Sequence, residues 1–213
     1  MKTVYSKYIK RALDFIISLL ALTVLSPLLL VLTLVGAVKM RGNPFFVQER
    51  PGRNGRVFRL IKLRSMTNEK KNGELLPDEE RLTGYGRFLR RTSLDELPEL
   101  LNILVGHMSI VGPRPLLVKY LPLYNEHQAR RHEVRPGLTG WAQVNGRNSI
   151  TWEQKFDYDV WYVDHVSFAL DVRIVMMTVR SVLKREGISG DNNATMAEFT
   201  GSAESKDEQL KIK

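Results

Sequence analysis

The longest hydrophobic segment of the chain lies close to its N-terminus. Residues 15–38 form a run of 24 residues without a charge, and Lys10, Arg11, Lys39 and Arg41 flank it. A helix of this length is about 36 Å long, which is enough to cross the roughly 30 Å hydrocarbon core of a bilayer. The run is also longer than the hydrophobic part of a typical cleaved signal peptide. The pattern therefore predicts a membrane helix.

Ser26 and Pro27 divide this run into two halves of eleven residues each. Proline removes a helical hydrogen bond and clashes with the preceding turn, so a kink is expected there. The Ser26 hydroxyl can bond a carbonyl that is freed nearby. A kinked helix that enters the membrane and returns would keep both basic flanks in the cytoplasm. Proline also occurs in spanning helices, so the residues alone leave both topologies open.

Shorter elements are predicted after this helix. Residues 45–48 and 57–66 read as two short strands, joined by a turn-rich loop with an Asn-Gly pair. Helical spacing and capping residues predict further helices at residues 94–105, 116–132, from 151 onward and at 168–184. The last of these is too charged to span a bilayer and is expected to lie along its surface. The expected fold class is mixed α/β and mostly helical, with a small β-hairpin and interfacial amphipathic helices.

Composition limits the possible chemistry. The chain has 213 residues and no cysteine, so it is long enough for one ordinary domain and has no disulfide or thiolate zinc site. Its formal net charge is +9, with 32 Lys and Arg against 23 Asp and Glu. This balance favours anionic partners such as nucleic acids, phosphorylated metabolites or an acidic membrane surface. No helix-turn-helix, zinc or RNA-recognition signature is present in the sequence, which argues against a nucleic-acid-binding protein.

The main candidate for catalysis is a pair of adjacent carboxylates, Asp95 and Glu96. Ser93 and Glu96 have the spacing of a capping box, so the pair is expected in the first turn of an amphipathic helix that ends near Gly106. Pro98 fits such an early position. The positive end of the helix dipole would favour the ionised carboxylates. By themselves, however, acidic residues in a first turn more often only cap a helix.

Three basic side chains are candidates for binding phosphate. Lys62 lies on the second predicted strand, and Arg90 comes just before the carboxylate pair. Arg114 stands between two prolines, on a stiff backbone that suits a guanidinium binding a phosphate through two hydrogen bonds. Each residue alone is also compatible with an ordinary exposed basic side chain.

Several motifs then occur in one order along the chain: Ser26-Pro27, Lys62-x-Arg64-Ser65-Met66, Ser93-Leu94-Asp95-Glu96-Leu97-Pro98, Met108-Ser109-x-Val111-Gly112-Pro113-Arg114-Pro115 and Arg135-Pro136-Gly137-x-Thr139-Gly140-Trp141-Ala142-Gln143-Val144-Asn145-Gly146-Arg147. Together they resemble the bacterial monotopic phosphoglycosyl transferases, also called polyprenol-phosphate sugar-1-phosphate transferases. The match covers nearly all of residues 5–187. It is closest to the small diacetylbacillosamine-1-phosphate transferase type.

The resemblance implies a reaction. A UDP-sugar, with an N-acetylated sugar such as diacetylbacillosamine as the expected donor, gives its sugar-1-phosphate to a membrane polyprenyl (undecaprenyl) phosphate, and UMP leaves. It makes Asp95 and Glu96 the catalytic dyad and Mg²⁺ the cofactor, with Asp95 as a metal ligand. The product would enter glycoconjugate assembly, such as polysaccharide biosynthesis or protein glycosylation.

The resemblance also suggests roles for other residues. The glycine-rich loops contribute Arg135, Trp141 and Arg147 as candidates for binding the nucleotide sugar, because loops of this kind line sites and an indole can stack on a base. Lys62, Arg90 and Arg114 are the candidates for contacting phosphates. In the mechanism expected for these residues, Asp95 attacks the sugar-proximal phosphorus and forms an acyl-phosphate, and Glu96 manages a proton in the second half-reaction.

Three parts of the chain are expected, the first two from the resemblance and the third from its polar composition. Residues 1–40 form a re-entrant membrane helix kinked at Ser26 and Pro27, and residues 41–187 form a catalytic domain on the membrane surface. Residues 188–213 are expected to be a mobile polar tail. The location implied is the cytoplasmic face of the bacterial inner membrane. A membrane-anchored basic adaptor without catalysis is the remaining alternative, and it leaves the dyad and the Pro-Arg-Pro motif unexplained.

Overall fold

The computed structural model describes residues 4–146, 150–184 and 198–201. Within these ranges the protein is mostly helical, with three two-stranded sheets. This confirms the mixed, mainly helical class that the sequence predicted. A long apolar helix at the N-terminus accompanies a domain of short helices and strands.

The N-terminal helix, α1 (Lys10–Lys39), follows a π-helical turn at Tyr5–Ile9. Within the described ranges, Tyr5–Lys39 is the one helix long and apolar enough to cross a membrane. Pro27 lies inside α1 and has no N–H to donate to the carbonyl of Thr23. The Ser26 hydroxyl donates to that carbonyl at 2.8 Å, as the sequence predicted for a freed carbonyl nearby.

The rest of the domain contacts α1 near both of its ends. The Arg11 guanidinium donates to the carbonyls of Ile103 and Leu104 at 2.6 and 2.8 Å. In the second half of α1, the Tyr85 hydroxyl donates to the carbonyl of Leu32 at 2.7 Å. Large apolar side chains elsewhere on the helix remain exposed: Phe15, Ile16, Ile17, Leu19, Leu20, Val24, Leu28, Leu30, Val31, Leu34, Val35 and Val38. One side of α1 is therefore bound to the domain, and the other side is an open apolar surface.

Strands β1 (Phe45–Pro51) and β2 (Val57–Leu63) form the predicted antiparallel hairpin. The loop between them contains a 3-10 turn, Arg53–Gly55, in which Asn54 has φ 56° and Gly55 φ 71°. The second strand ends at Leu63, three residues before its predicted end. The Arg64 amide bonds the carbonyl of Pro44, which is the residue before β1, so no partner strand continues beyond it.

The next segments lead to the carboxylate pair. They are a short hairpin of β3 (Lys70–Lys71) and β4 (Glu74–Leu75), then α2 (Asp78–Arg81), α3 (Gly84–Thr92) and α4 (Glu99–Leu104). A Cβ at Gly86 would lie 1.8 Å from the Ser65 carbonyl oxygen, so glycine allows α3 to pack directly against the chain leaving β2. Helix α4 ends just before Gly106, as predicted.

Strands β5 (Ser109–Val111) and β6 (Gly137–Thr139) pair in parallel. Between them the sequence predicted one helix over residues 116–132, and this prediction is wrong. The structure instead has a 3-10 segment at Val118–Leu123, then α5 (Glu126–Ala129) and a second 3-10 turn at Arg130–Glu133. Pro122 has no N–H to continue a helix, and Asn125 starts a new one through its own capping box with Gln128.

Three helices complete the domain: α6 (Trp141–Asn145), α7 (Trp152–His165) and α8 (Phe168–Lys184). The stretch predicted as glycine-rich loops thus contains β6 and α6. The predicted capping pair at the start of α7 is present, since Thr151 and Gln154 bond each other's backbone amides. Helix α8 has its predicted bounds, and its Asp171 accepts hydrogen bonds from Lys10 and Tyr162 at 2.5 and 2.7 Å.

Most of the segment expected to be a mobile tail lies outside the described residues. Of the four that are described, 198–201, Phe199 is buried against Tyr120, Trp152 and Phe156, with ring centroids 5.0–5.8 Å apart. These four residues therefore pack on the domain through the Phe199 ring. The composition of this segment is otherwise polar, so the sequence did not predict this contact.

Asn102 joins the hairpin to α4 from a position that is 3% exposed. Its Oδ1 accepts from the Ile61 amide at 3.1 Å, and its Nδ2 donates to the Arg59 carbonyl at 2.8 Å. We predict that Asn102→Ala destabilises the protein by about 2–4 kcal/mol, because it removes the side-chain partners of two backbone groups. Thermal unfolding of the detergent-solubilised protein should show a Tm lower by roughly 5–10 °C.

The control is Asn43→Ala. Asn43 is exposed, and its side chain accepts a local hydrogen bond from the Phe45 amide at 2.9 Å. Its Tm should change little. Equal losses of Tm in the two variants would contradict a specific role for Asn102.

Candidate active site

The carboxylate pair lies in a tight turn and not in the first turn of a helix. Helix α3 ends at Ser93, which adopts a left-handed conformation with φ 56° and caps nothing with its side chain. Asp95 and Glu96 then belong to a 3-10 turn, Leu94–Glu96, and α4 begins only at Glu99. The predicted capping box is therefore wrong. Pro98 stands where α4 begins, because a residue without an N–H is tolerated only at a helix start.

Glu96 connects three parts of the chain through charge. Its Oε1 accepts from Lys62 Nζ of β2 at 2.9 Å and from Arg114 Nη2 of the Pro-Arg-Pro segment at 2.6 Å. Lys62 Nζ also lies 3.0 Å from Oε1 of Glu99. Two of the three predicted phosphate-binding cations therefore meet at the predicted dyad. In the described part of the chain, the ion pairs of this site all go to Glu96 and Glu99 and none to Asp95.

The two carboxylates of the pair differ in acidity. Burial and the negative charge of Glu96 raise the pKa of Asp95, against the opposing effects of Lys62 and Arg114. For Glu96, burial acts upward, but the charges of Arg114 and Lys62 outweigh it and lower the pKa to about 2. The expectation that a helix end favours ionised Asp95 is therefore wrong, since α4 starts four residues later and burial dominates.

Glu99 is a third carboxylate that the sequence analysis missed. Its side chain is 2% exposed, and burial raises its pKa, with Lys62 acting in the opposite direction. Its Oε1 makes no hydrogen bond in the described structure, although it forms the ion pair with Lys62. An acidic residue directly after Pro98 looks like an ordinary first-turn residue in the sequence, and only the fold brings it to Lys62.

A cavity of about 640 Å³ opens beside the turn. One part of its wall is polar and charged, formed by Arg90, Ser93, Glu96, Arg114, Lys155 and Asp159. Another part is apolar and comes from α1, α4, α8 and the residue that follows the 3-10 turn, with Ala21, Leu25, Leu97, Leu100, Val175, Val179 and Val182. Asp95 and Lys62 lie beside this cavity and not in its wall, whereas the neighbours of Asp95 on the turn, Ser93 and Glu96, line it.

A buried ion pair between Arg131 and Asp159 packs against the Pro-Arg-Pro segment. Arg131 and Asp159 are 2% and 3% exposed, and Arg131 Nη2 donates to Asp159 Oδ2 at 2.7 Å. The same Nη2 donates to the main-chain carbonyl of Arg114 at 2.8 Å. Arg131 thus fixes the backbone that carries Arg114. The sequence analysis did not single out this pair, because its members are 28 residues apart.

The other predicted site residues are distributed more widely. Arg90 lines the cavity and donates to the Ser65 hydroxyl at 3.0 Å. Trp141 stacks on Trp161 with ring centroids 4.9 Å apart and does not line the cavity, although residues 142–144 do. Arg135 lies in a second cavity and donates to the Gly106 carbonyl. Arg147 lies outside the described residues.

The arrangement is compatible with Mg²⁺ bound partly by the substrate. Among the described residues, no three His, Asp or Glu side chains form a group that would hold a metal ion. Magnesium is usually held by one or two carboxylates together with substrate phosphates, so a full protein cage is not required. Asp95 is the carboxylate of the turn that no cation pairs with in the described structure.

Comparison with known proteins assigns the chain to a family. Residues 5–185 match the family model described as bacterial sugar transferase. The chain belongs to this family. It is 54% identical over 197 residues to an uncharacterized sugar transferase, EpsL, of Bacillus subtilis, a match that covers 92% of this chain and 98% of EpsL.

Two further relatives carry the names of reactions. The UDP-glucose:undecaprenyl-phosphate glucose-1-phosphate transferase of Escherichia coli is 39% identical over 185 residues, which cover 82% of this chain and 40% of that protein. The undecaprenyl-phosphate galactose phosphotransferase of Salmonella typhimurium is 35% identical over 201 residues, which cover 85% of this chain and 42% of that protein. The chain thus spans less than half of these longer relatives and nearly all of EpsL. The predicted assignment to the sugar-1-phosphate transferases is confirmed.

The buried ion pair provides a test of how Arg114 is positioned. We predict that Arg131→Met destabilises the protein by about 3–5 kcal/mol, because Asp159 is then left charged and buried without its partner. The double variant Arg131→Met/Asp159→Leu should recover most of the lost Tm. Transferase activity should remain low in the double variant, because the hydrogen bond to the Arg114 carbonyl is still missing.

The neighbouring Arg130→Met is the matched control. Arg130 pairs with Asp164 and Glu133 on the surface, where such pairs contribute at most about 1 kcal/mol. A double variant as unstable as Arg131→Met, or one with full activity, would show that the buried pair does not hold Arg114 in the way described here.

Proposed function

We propose that the protein transfers sugar-1-phosphate from a UDP-sugar to undecaprenyl phosphate in the membrane and releases UMP. The observation that carries this proposal is the composition of the cavity beside the dyad. Cationic residues form one part of its wall, and apolar residues, several of them from the long apolar helix α1 and from α8, form another part. A reaction between a diphosphate and a lipid phosphate needs both. Relatives named for transfer to undecaprenyl phosphate support the same reaction.

The cationic part of the wall suits the phosphates. Arg114 and Arg90 line it, and Lys62 lies next to it through Glu96. A diphosphate repels an anionic nucleophile, so positive charge must first reduce that repulsion. Arg114 reaches the cavity from a backbone that Pro113, Pro115 and the buried Arg131 hold in place. We propose that Arg114, Arg90 and Lys62 bind the donor diphosphate and the acceptor phosphate.

The apolar part of the wall suits the first isoprene units of the acceptor. Ala21 and Leu25 belong to the first half of α1, and Val175, Val179 and Val182 belong to α8. Both helices also carry exposed apolar side chains outside the cavity, such as Leu20 and Met176. A lipid phosphate can therefore approach the dyad between these helices while its chain stays in the apolar phase.

The chemistry proposed for Asp95 proceeds in two steps. In the first, a carboxylate oxygen of Asp95 bonds to the sugar-proximal phosphorus, and the bond from phosphorus to the UMP oxygen breaks, so UMP leaves with the electron pair. In the second, a phosphate oxygen of the lipid attacks the same phosphorus, and the acyl-phosphate bond breaks. The Asp95 carboxylate is regenerated, and the lipid carries the sugar on a diphosphate. A carboxylate nucleophile of this kind is well precedented.

Glu96 has a different task in the free protein. With a pKa of about 2 it is ionised at neutral pH and is paired with Lys62 and Arg114. We propose that it first positions these two cations. The role in proton transfer predicted from the sequence would require the substrate phosphates to take over both cations, because only then would its pKa rise. Mg²⁺ bound at Asp95 and the donor diphosphate would neutralise phosphate charge.

The identity of the sugar remains a prediction. The resemblance suggested an N-acetylated sugar such as diacetylbacillosamine, while the residues themselves left a plain hexose equally open, and relatives are named for glucose and galactose. Measuring UMP release from a panel of UDP-sugars, with and without Mg²⁺, tests the donor and the metal together. Another relative is named an exopolysaccharide production protein, which supports a place in polysaccharide assembly.

We further propose that α1 is re-entrant and that the protein lies on the cytoplasmic face of the inner membrane. The contacts of Arg11 and Leu32 with the domain are 21 residues apart, which is about 32 Å along a helix. A helix that crossed the bilayer would carry one of these residues to the side opposite the domain. Basic residues at both ends of α1 favour the cytoplasmic side for both.

The topology is testable because the chain has no cysteine of its own. We predict that Val4→Cys and Asn43→Cys react with a membrane-impermeant thiol reagent in inverted membrane vesicles and stay unreacted in intact cells. Both positions are exposed in the structure. Glu74→Cys, on the exposed β4, serves as the control for the cytoplasmic domain. Labelling of Val4→Cys from the periplasmic side would identify a spanning helix.

The covalent step gives the decisive test of the proposed reaction. Incubation with UDP-sugar and Mg²⁺ before any undecaprenyl phosphate is added should release UMP in an amount not exceeding the enzyme present. Mass spectrometry should find the added sugar-phosphate on the peptide that contains Asp95. Asp95→Asn keeps the shape and removes the nucleophile, so it should abolish both the adduct and turnover.

Asp78→Asn is the control, since Asp78 is an exposed carboxylate on α2. It should leave the burst, the adduct and turnover unchanged. Absence of UMP without acceptor, combined with intersecting lines in two-substrate kinetics, would overturn the covalent route. Asp95 would then be a metal ligand for direct attack by the lipid phosphate.

A further inference from the structure

A second cavity, of about 250 Å³, lies near the start of α1. Its wall comes from the start of α1, the 3-10 turn of the hairpin loop, β5, the segment at residues 130–135 and the end of α7. It shares no lining residue with the cavity beside the dyad. The proposed reaction assigns no ligand to it, although the sequence analysis named one of its lining residues, Arg135, as a candidate for binding the nucleotide sugar.

Basic side chains dominate this wall. Six cations line the cavity, and three carboxylates stand against them: Lys7, Lys10, Arg11, Arg53, Arg130 and Arg135 on one side, and Asp14, Glu133 and Asp164 on the other. Each carboxylate has hydrogen-bond or ion-pair partners, but those of Asp14 are neutral groups. Asp14 accepts from the Ser109 hydroxyl and the Ile110 amide, and Glu133 and Asp164 pair with Arg130.

Four of the cations form no ion pair with a carboxylate among the residues that the structure describes. Arg11 and Arg135 donate to main-chain carbonyls, which satisfy their N–H groups without neutralising them. Lys7 and Arg53 have no carboxylate partner among the residues that the structure describes. Burial, followed by the charges of Arg11 and Arg53, lowers the pKa of Arg135, with the charge of Asp14 acting in the opposite direction. Like charges are thus held close together around an open space, an arrangement that an anion would stabilise.

The surroundings of the cavity indicate where that anion comes from. Lys7 Nζ lies over the ring of Tyr8 at 5.1 Å, and the Arg11 guanidinium lies over the ring of Phe15 at 5.9 Å. Tyr8 and Phe15 are themselves exposed, as is Phe168 at the start of α8. Cations beside exposed aromatic rings are typical of the headgroup level of a membrane. These surroundings are those expected of a cavity at the level of phospholipid headgroups.

We propose that this cavity binds the phosphate group of an anionic membrane phospholipid, held by Lys7, Arg11, Arg53 and Arg135. The proposal rests on the membrane placement given above, and it does not depend on the chemistry at Asp95. Its structural consequence follows from Arg11, which reaches from this cavity to the carbonyls at the end of α4. A bound headgroup would thus fix the start of α1 against the helix that follows the dyad.

The test counts lipids bound to the intact, detergent-solubilised chain by native mass spectrometry, with phosphatidylglycerol as the probe. The wild-type protein should retain one phosphatidylglycerol per chain and prefer it to phosphatidylcholine. Lys7→Gln/Arg53→Gln should weaken retention by about tenfold or more, because two charge-assisted contacts are lost. Both residues are exposed, so the Tm of this variant should match that of the wild type.

The matched control is Arg56→Gln/Arg59→Gln, which removes two exposed charges of the same hairpin outside the cavity. Retention should stay at the wild-type level. Equal losses in the two double variants would show a general attraction between charges and would overturn the site. Binding of glycerol-3-phosphate without retention of phosphatidylglycerol would identify a soluble phosphate as the ligand and overturn the lipid assignment.

A third arm separates this site from the acceptor site. UMP release with saturating undecaprenyl phosphate in detergent should be unchanged in Lys7→Gln/Arg53→Gln. If the variant instead lost retention of undecaprenyl phosphate and not of phosphatidylglycerol, the cavity would belong to the substrate and the present proposal would be wrong. Counting bound lipids needs no turnover. The lipid-binding result can therefore be interpreted even if the proposed reaction proves wrong.

Discussion

The ion pairs of Glu96 with Lys62 and Arg114 are the constraint on which the site depends. They join the hairpin, the turn of the dyad and the Pro-Arg-Pro segment, which are three separate stretches of the chain. A carboxylate placed between two cations in a partly buried position stays ionised and holds both cations near one point. Without it, two positive charges beside a cavity would repel each other. In the free protein Glu96 therefore occupies the place that substrate phosphates would compete for.

The elements that local sequence determines were predictable. The hairpin around Asn54-Gly55, the capping box of α7 and the extent of α8 depend on turn chemistry and side-chain periodicity within a few residues. The assignment of Asp95, Glu96 and Arg114 to one site came from ordered motifs, and the structure brings Glu96 and Arg114 together as expected.

Other features depend on contacts between distant residues. Ser93 was expected to cap a helix, but α3 ends there in a left-handed conformation, and Asp95 is governed by burial. Glu99 acquires its importance only because Asn102, one turn later, binds the strand that carries Lys62. The basic cavity at the start of α1 has walls from separate stretches of chain. Such an arrangement cannot be inferred from the spacing of residues along the sequence.

The apolar wall formed by α1 and α8 has a consequence for how the length of the acceptor chain affects its recognition. In the proposed reaction the wall ends at the membrane, so only the units nearest the phosphate touch the protein and the rest of the chain lies among lipid tails. Each additional isoprene unit would meet the same hydrocarbon surroundings before and after binding, and would add little to the difference in free energy. The enzyme would then recognise the phosphate end and remain largely indifferent to the length of its carrier.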